Sequence, residues 1–184
     1  MNRLAFGLVA VLAAPPVVAE DYWEFGDWRV YVEVSQTLEH TVRTCAALTG
    51  GDGLPSLNLE VNNLDAGPPT DYPEPFLLEN APRGNSTQVQ NGQAVGFVVD
   101  GQAAFYGIAN GYSDENGFLF ARVEPRWQDT VNMLKWMKVG QNIDIRTVHP
   151  YGAGEQVLLV SLKGFSAAYG KMMDECGFSL SLDG

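Results

Sequence analysis

Cysteine and histidine are nearly absent from this chain: two of each in 184 residues. Neither Cys45 nor Cys176 has a CxxC neighbour, so the spacing is not that of a redox or structural-zinc motif. His40 and His149 stand apart, and no nucleophile motif accompanies either. GFSAA at 164–168 lacks the closing glycine of the GxSxG elbow. Gly-rich phosphate loops of the GxGxxG or GxxxxGK[ST] kind are missing too. DENG at 114–117 does not fit an EF-hand, because the first ligand position would fall on Tyr112. Basic residues are also scarce. Eleven Lys and Arg stand against 22 Asp and Glu, a net charge of −11. Such a chain repels phosphate backbones and anionic lipid, which argues against nucleic acid or simple membrane-surface docking. Beyond the first twenty residues no apolar run approaches the roughly 20 residues a membrane-spanning helix needs.

What is present begins with a processing signal. Arg3 precedes an apolar run, Leu4–Ala14, which is too short to span a bilayer. Val17 and Ala19 then supply small residues for a cut before Glu20. Residues 1–19 therefore read as a cleaved signal peptide, and 20–184 as one exported, periplasmic or secreted domain. Export permits a disulfide. With only two cysteines an intramolecular bridge has one connectivity, Cys45–Cys176.

The domain reads as mainly β. WRVYVEV alternates, with Trp28, Val30, Val32 and Val34 on one face. Further runs cover 40–48, LNLEV (57–61), AVGFVV, QAAFYGIA, FLFARVE, IDIRTV and EQVLLVSL. Turns are expected at TGGDGLP (49–55), at Asp100-Gly101, at NGYSDENG and around 149–154. That is about eight antiparallel strands, the pattern of an antiparallel β-sandwich. Residues 127–140 predict a short helix capped by Asp129 and ended by Gly140. SLKGFSAAYGKMMDECGF (161–178) predicts a C-terminal helix, with Phe165, Ala168, Tyr169, Met172 and Cys176 on one face. Ser166 stands as its expected N-cap and Gly177 as its left-handed C-terminal residue. Residues 62–91 read as irregular chain, with four prolines in 68–75.

No catalytic, cofactor-binding or metal-ligating set emerges, so the chain is read as no enzyme and without cofactor. Trp28 and Trp136 are expected in the core. Trp23, Pro68, Pro69, Tyr72 and Trp127 are the candidate interaction surface, because loops on a rigid scaffold and exposed aromatics commonly carry binding. The alternatives are a carbohydrate-binding module with an aromatic platform, or a small secreted glycosidase built on two carboxylates. Nothing in the sequence selects the pair.

FGDWRV at 25–30, MKVGQNIDI at 137–145 and SLKGFSAAYGKM at 161–172 together resemble the invasion-associated locus B family of exported bacterial proteins. The resemblance implies a periplasmic, immunoglobulin-like β-sandwich and a non-enzymatic role that involves another envelope or host-surface component. It implies no catalytic residues. Where members often carry a cysteine two positions after the valine of the first block, this chain has Val32, so Cys45 needs another partner.

Overall fold

Ten strands and two helices make up the computed structural model, which describes residues 18–36, 39–51, 55–149 and 154–182. In chain order they are β1 (Val18–Phe25), β2 (Trp28–Gln36), β3 (Thr41–Gly50), β4 (Ser56–Asn62), β5 (Phe76–Ala81), β6 (Ala94–Val99), β7 (Ala103–Ser113) and β8 (Leu119–Pro125). A single 3₁₀ turn, Trp127–Asp129, leads into α1 (Thr130–Val139), and β9 (Asn142–Thr147), β10 (Gln156–Ser161) and α2 (Phe165–Glu175) follow. The chain thus forms the expected mainly antiparallel class, with a C-terminal helix and one further short helix. The ladder runs β1-β2-β3-β4-β5-β8-β7-β6-β9-β10 without a break, so its pairing does not itself divide the strands into two sheets. No helix among the described residues is long and apolar enough to cross a membrane.

Alternation decides which face is inside. On β2, Trp28, Val30 and Val32 are fully buried, while Glu33 is exposed. On β7, Phe105 and Ala109 point inward, and Tyr106, Ile108 and Asn110 point to solvent. The inward side chains of the sheet and the apolar stripes of both helices form one core cluster. Two hydrogen bonds join the start of β2 to the end of β10 and the residues after it. The Asp27 N–H donates to the Lys163 carbonyl at 3.0 Å, and the Trp28 indole Nε1–H donates to the Ser161 carbonyl at 3.0 Å.

The disulfide is Cys45–Cys176, as expected. It fastens the residue after α2 to the buried face of β3 across 131 positions of chain. The helical face read from the spacing is the buried one: Phe165, Ala168, Tyr169 and Met172 are all at most 1% exposed, with Met173 beside them. Its ends differ in one respect. Ser166 is not the N-cap. That position belongs to Gly164, in the left-handed region at φ 94°, and the Ser166 hydroxyl donates instead to the Lys138 carbonyl at 3.2 Å. A residue with a Cβ would not fit at Gly164, because that carbon would lie 1.8 Å from the Phe25 carbonyl oxygen. At the other end Gly177 is left-handed, and the Phe178 N–H closes back on the Met173 carbonyl at 2.8 Å.

Other expectations are corrected. Asp129 stands at the N-cap of α1 but makes no side-chain capping bond. Its carboxylate pairs with Arg126 at 2.8 Å. Trp136 is 37% exposed, because Met133, Leu134 and Met137 take the inner face of α1 and position 136 falls outside it. Residues 62–91 are not wholly irregular, since β5 lies within them. Its inward row is Leu77, Glu79 and Ala81, and the acidic residue breaks the apolar alternation. The buried Glu79 carboxylate accepts the Gln88 N–H at 2.7 Å and the Val89 N–H at 3.1 Å, which satisfies it and fastens the following loop to the sheet. The strand β1 was also unanticipated. Residues 1–17 of the expected signal segment 1–19, part of the 49–55 turn and most of the 149–154 turn lie outside the described residues.

Candidate functional site

The proline-rich segment between β4 and β5 folds back on itself. The Thr70 and Asp71 N–H groups both donate to the Gly67 carbonyl, at 3.0 and 2.9 Å. The Asp65 carboxylate accepts the Asn62 N–H at 2.7 Å, and the Pro68–Pro69 peptide is cis. Gly67 has φ 65°, and the Phe178 ring lies where its side chain would be, 2.2 Å from an added Cβ. The tail that follows α2 and the disulfide therefore packs directly on the loop.

Beneath the loop is a cavity of about 310 Å³ lined by five carboxylates: Glu60 from β4, Asp65, Asp71 and Glu74 from the loop, and Glu124 from β8. Among the described residues, Arg122 is the one basic group in its wall. Its Nε lies 2.7 Å from the Glu124 carboxylate, and its guanidinium sits 3.5 Å from the centre of the Phe76 ring. An adjoining cavity of about 290 Å³ shares Asp71, Tyr72 and Glu74, and adds Pro69, Trp127 and Val131. Tyr72 and the two carboxylates beside it are thus a common wall. The Tyr72 hydroxyl is buried without a protein hydrogen-bond partner, as is that of Tyr169. Burial, with a smaller contribution from Tyr72, pushes the Tyr169 phenol up to about 12.

Electrostatics in this cleft are dominated by like charge. Partial burial, then Glu124 and Asp71, hold the Glu74 carboxyl above its ordinary value, and Arg122 opposes them only in part. The linkage has a definite sign. A carboxyl raised in the folded state stabilises the fold below its unfolded pKa, and that contribution is lost as pH rises through the folded value. Glu74→Gln is therefore expected to raise the melting temperature near neutral pH. The gap to wild type should close as pH falls to about 4. Thermal melts of both proteins across that range check it, and a gap that persists in acid would point to packing instead of charge.

Of the candidate surface residues, the fold brings Pro69, Tyr72 and Trp127 together. Trp127 is 71% exposed. Pro68 is half-buried and does not line either cavity. Trp23 lies apart on β1, packed against the core, with the Lys171 ammonium 4.1 Å from its ring centre. The carboxylates were not singled out from the sequence. Glu60 and Glu124 are 64 positions apart and become neighbours only because β5 pairs with both β4 and β8. Among the described residues, no group of three or more His, Cys, Asp or Glu side chains is arranged to hold a metal ion. No family model, no curated protein and no solved structure matches the chain.

Proposed function

We propose that the protein is a non-enzymatic, exported protein of the invasion-associated locus B type, which binds or assembles with another envelope or host-surface component. The observation that carries this reading is the meeting of Trp127, Tyr72 and Pro69 beside a carboxylate-lined cavity. An exposed aromatic anchor next to fixed negative charge suits a protein segment bearing Lys or Arg. Two further facts support the reading. The disulfide fits an oxidising compartment. The sequence blocks that carry the resemblance touch one another: Asp27 and Trp28 of the first bond to Lys163 and Ser161 of the last, and the Leu162 N–H donates to the Gln141 carbonyl of the middle one at 2.7 Å.

Affinity capture from the periplasm with crosslinking tests the reading, run in parallel with wild type and Trp127→Ala. A partner recovered by wild type should fall by about tenfold or more with the variant, and should weaken as salt is raised. Identical recovery from both would remove the cleft as the binding surface. One observation favours a second reading, a carboxylate-based glycosidase: the raised Glu74 carboxyl has Glu124 as a neighbour. That reading requires release of product from a chromogenic glycoside, abolished by Glu74→Gln.

A further inference from the structure

A separate cleft of about 300 Å³ opens at the turn end of the β7–β8 hairpin and shares no lining residue with the acidic cleft. Two aromatic rings stand in it. Tyr112 and Phe120 are cross-strand partners, and their rings lie nearly parallel, 9° apart, with centroids separated by 5.1 Å. Tyr112 is 47% exposed. Around the rings stand Asn91, Gln90, Ser113 and Thr87. Among the described residues, no charged side chain lines this cleft, in a chain whose net charge is −11.

The polar rim is fixed from behind. The Asn91 Oδ1 accepts the Gly111 N–H at 3.0 Å, which leaves its amide NH₂ as a donor. The Gln90 Nε2 donates to the Thr87 carbonyl at 2.6 Å, which leaves its Oε1 as an acceptor. The Gln90 backbone N–H is itself held by the Gln93 side chain at 2.9 Å. The Thr87 hydroxyl is engaged with the Val89 carbonyl at 2.8 Å. The amides are therefore oriented before any ligand arrives, which reduces the ordering cost of binding.

We propose that this cleft binds an uncharged glycan, with a pyranose ring on the face of Tyr112 that Phe120 does not cover and its polar substituents on Asn91 and Gln90. A sugar ring presents an apolar C–H face and a rim of neutral donors and acceptors. The C–H face suits the electron-rich face of an aromatic ring, and the rim suits paired amides. An anionic ligand meets the repulsion of the whole molecule, and a cation finds no carboxylate here. Mixed aromatic and neutral polar lining is the composition of a small-ligand site.

The test is calorimetric titration of the full mature chain with the β-1,4-linked N-acetylglucosamine tetramer and, separately, with cellotetraose. Saturable binding of at least one is expected. Tyr112→Ala should weaken it by about tenfold or more, and Trp127→Ala should leave it unchanged. Asn91→Asp keeps the acceptor that holds Gly111 but brings a negative charge and removes the amide donor, so it should weaken binding without altering the melting temperature. That variant carries the test if Tyr112→Ala does not fold. The absence of saturable binding by both tetrasaccharides would overturn the proposal, as would binding that Tyr112→Ala and Asn91→Asp leave intact. Binding lost with Trp127→Ala but retained with Tyr112→Ala would move the sugar to the acidic cleft and overturn this assignment too.

Discussion

Replacing either Cys45 or Cys176 by serine is expected to lower the melting temperature by about 10 °C, and replacing both should lower it no further. The bridge spans 131 positions, and a loop of that length restricts the unfolded chain by about 5 kcal/mol as an upper figure. Loss of a native disulfide commonly costs about 2–5 kcal/mol, and each kcal/mol moves the transition by about 2–4 °C in a domain of this size. Both positions are buried, Cys45 at 0% and Cys176 at 5% exposure, so the bridge lies inside the core and not on the surface. Equal single effects and a non-additive double mark one shared bond. Additive losses would mean that the two sulfurs act separately.

The ion pairs nearby do not replace the bridge. Glu175 meets Arg43 at 3.1 Å and Lys171 at 2.6 Å, but these side chains are partly solvated and contribute little each. A consequence reaches the candidate site. Phe178 follows Cys176 by two residues and packs on Gly67 at the start of the proline loop. Amide exchange at Thr70 and Asp71, whose N–H groups close on the Gly67 carbonyl, should therefore rise in the cysteine variants before the sheet as a whole opens.

How much of this was legible in the sequence depends on the range of the contact. The C-terminal helix, the β6–β7 turn at Asp100-Gly101 and the alternation of β2 are local patterns, and they read correctly. Asp100 and Gly101 both have positive φ, 48° and 68°, as a tight two-residue hairpin turn requires. The strand β5 was hidden because its inward row includes Glu79, whose partners lie nine and ten residues on and cannot be seen as a pattern. The strand order was hidden as well, since β5 skips two strands to pair with β8. Pro69 and Tyr72 could be suspected from their loop, and Trp127 from its aromatic character. Four of the carboxylates that give the cleft its charge fall within residues 60–74, and only the non-local pairing of β5 with β8 brings Glu124 to them. Trp136 was misplaced for a simpler reason: a short helix has one buried stripe, and a tryptophan can sit just off it.

The largest single-residue effect is expected at Trp28. Its side chain is fully buried, its indole N–H donates to the Ser161 carbonyl at 3.0 Å, and its ring meets Phe165 edge-on, with centroids 4.9 Å apart at 62°. It thus joins β2, the end of β10 and the start of α2. Trp28→Ala removes a large side chain from a packed core and leaves a cavity, which costs about 3–5 kcal/mol. Loss of the hydrogen bond to Ser161 adds about 1 kcal/mol. The sum is comparable to the whole stability of a typical domain, about 5–15 kcal/mol. Trp28→Phe keeps most of the volume and removes the donor, so it should cost about 2 kcal/mol. Urea unfolding of the three proteins decides between packing and hydrogen bonding, provided the slope with denaturant is unchanged. Equal losses in the two variants would give the indole N–H the governing role. A loss below about 2 kcal/mol in Trp28→Ala would mean that the junction of β2, β10 and α2 does not depend on this residue.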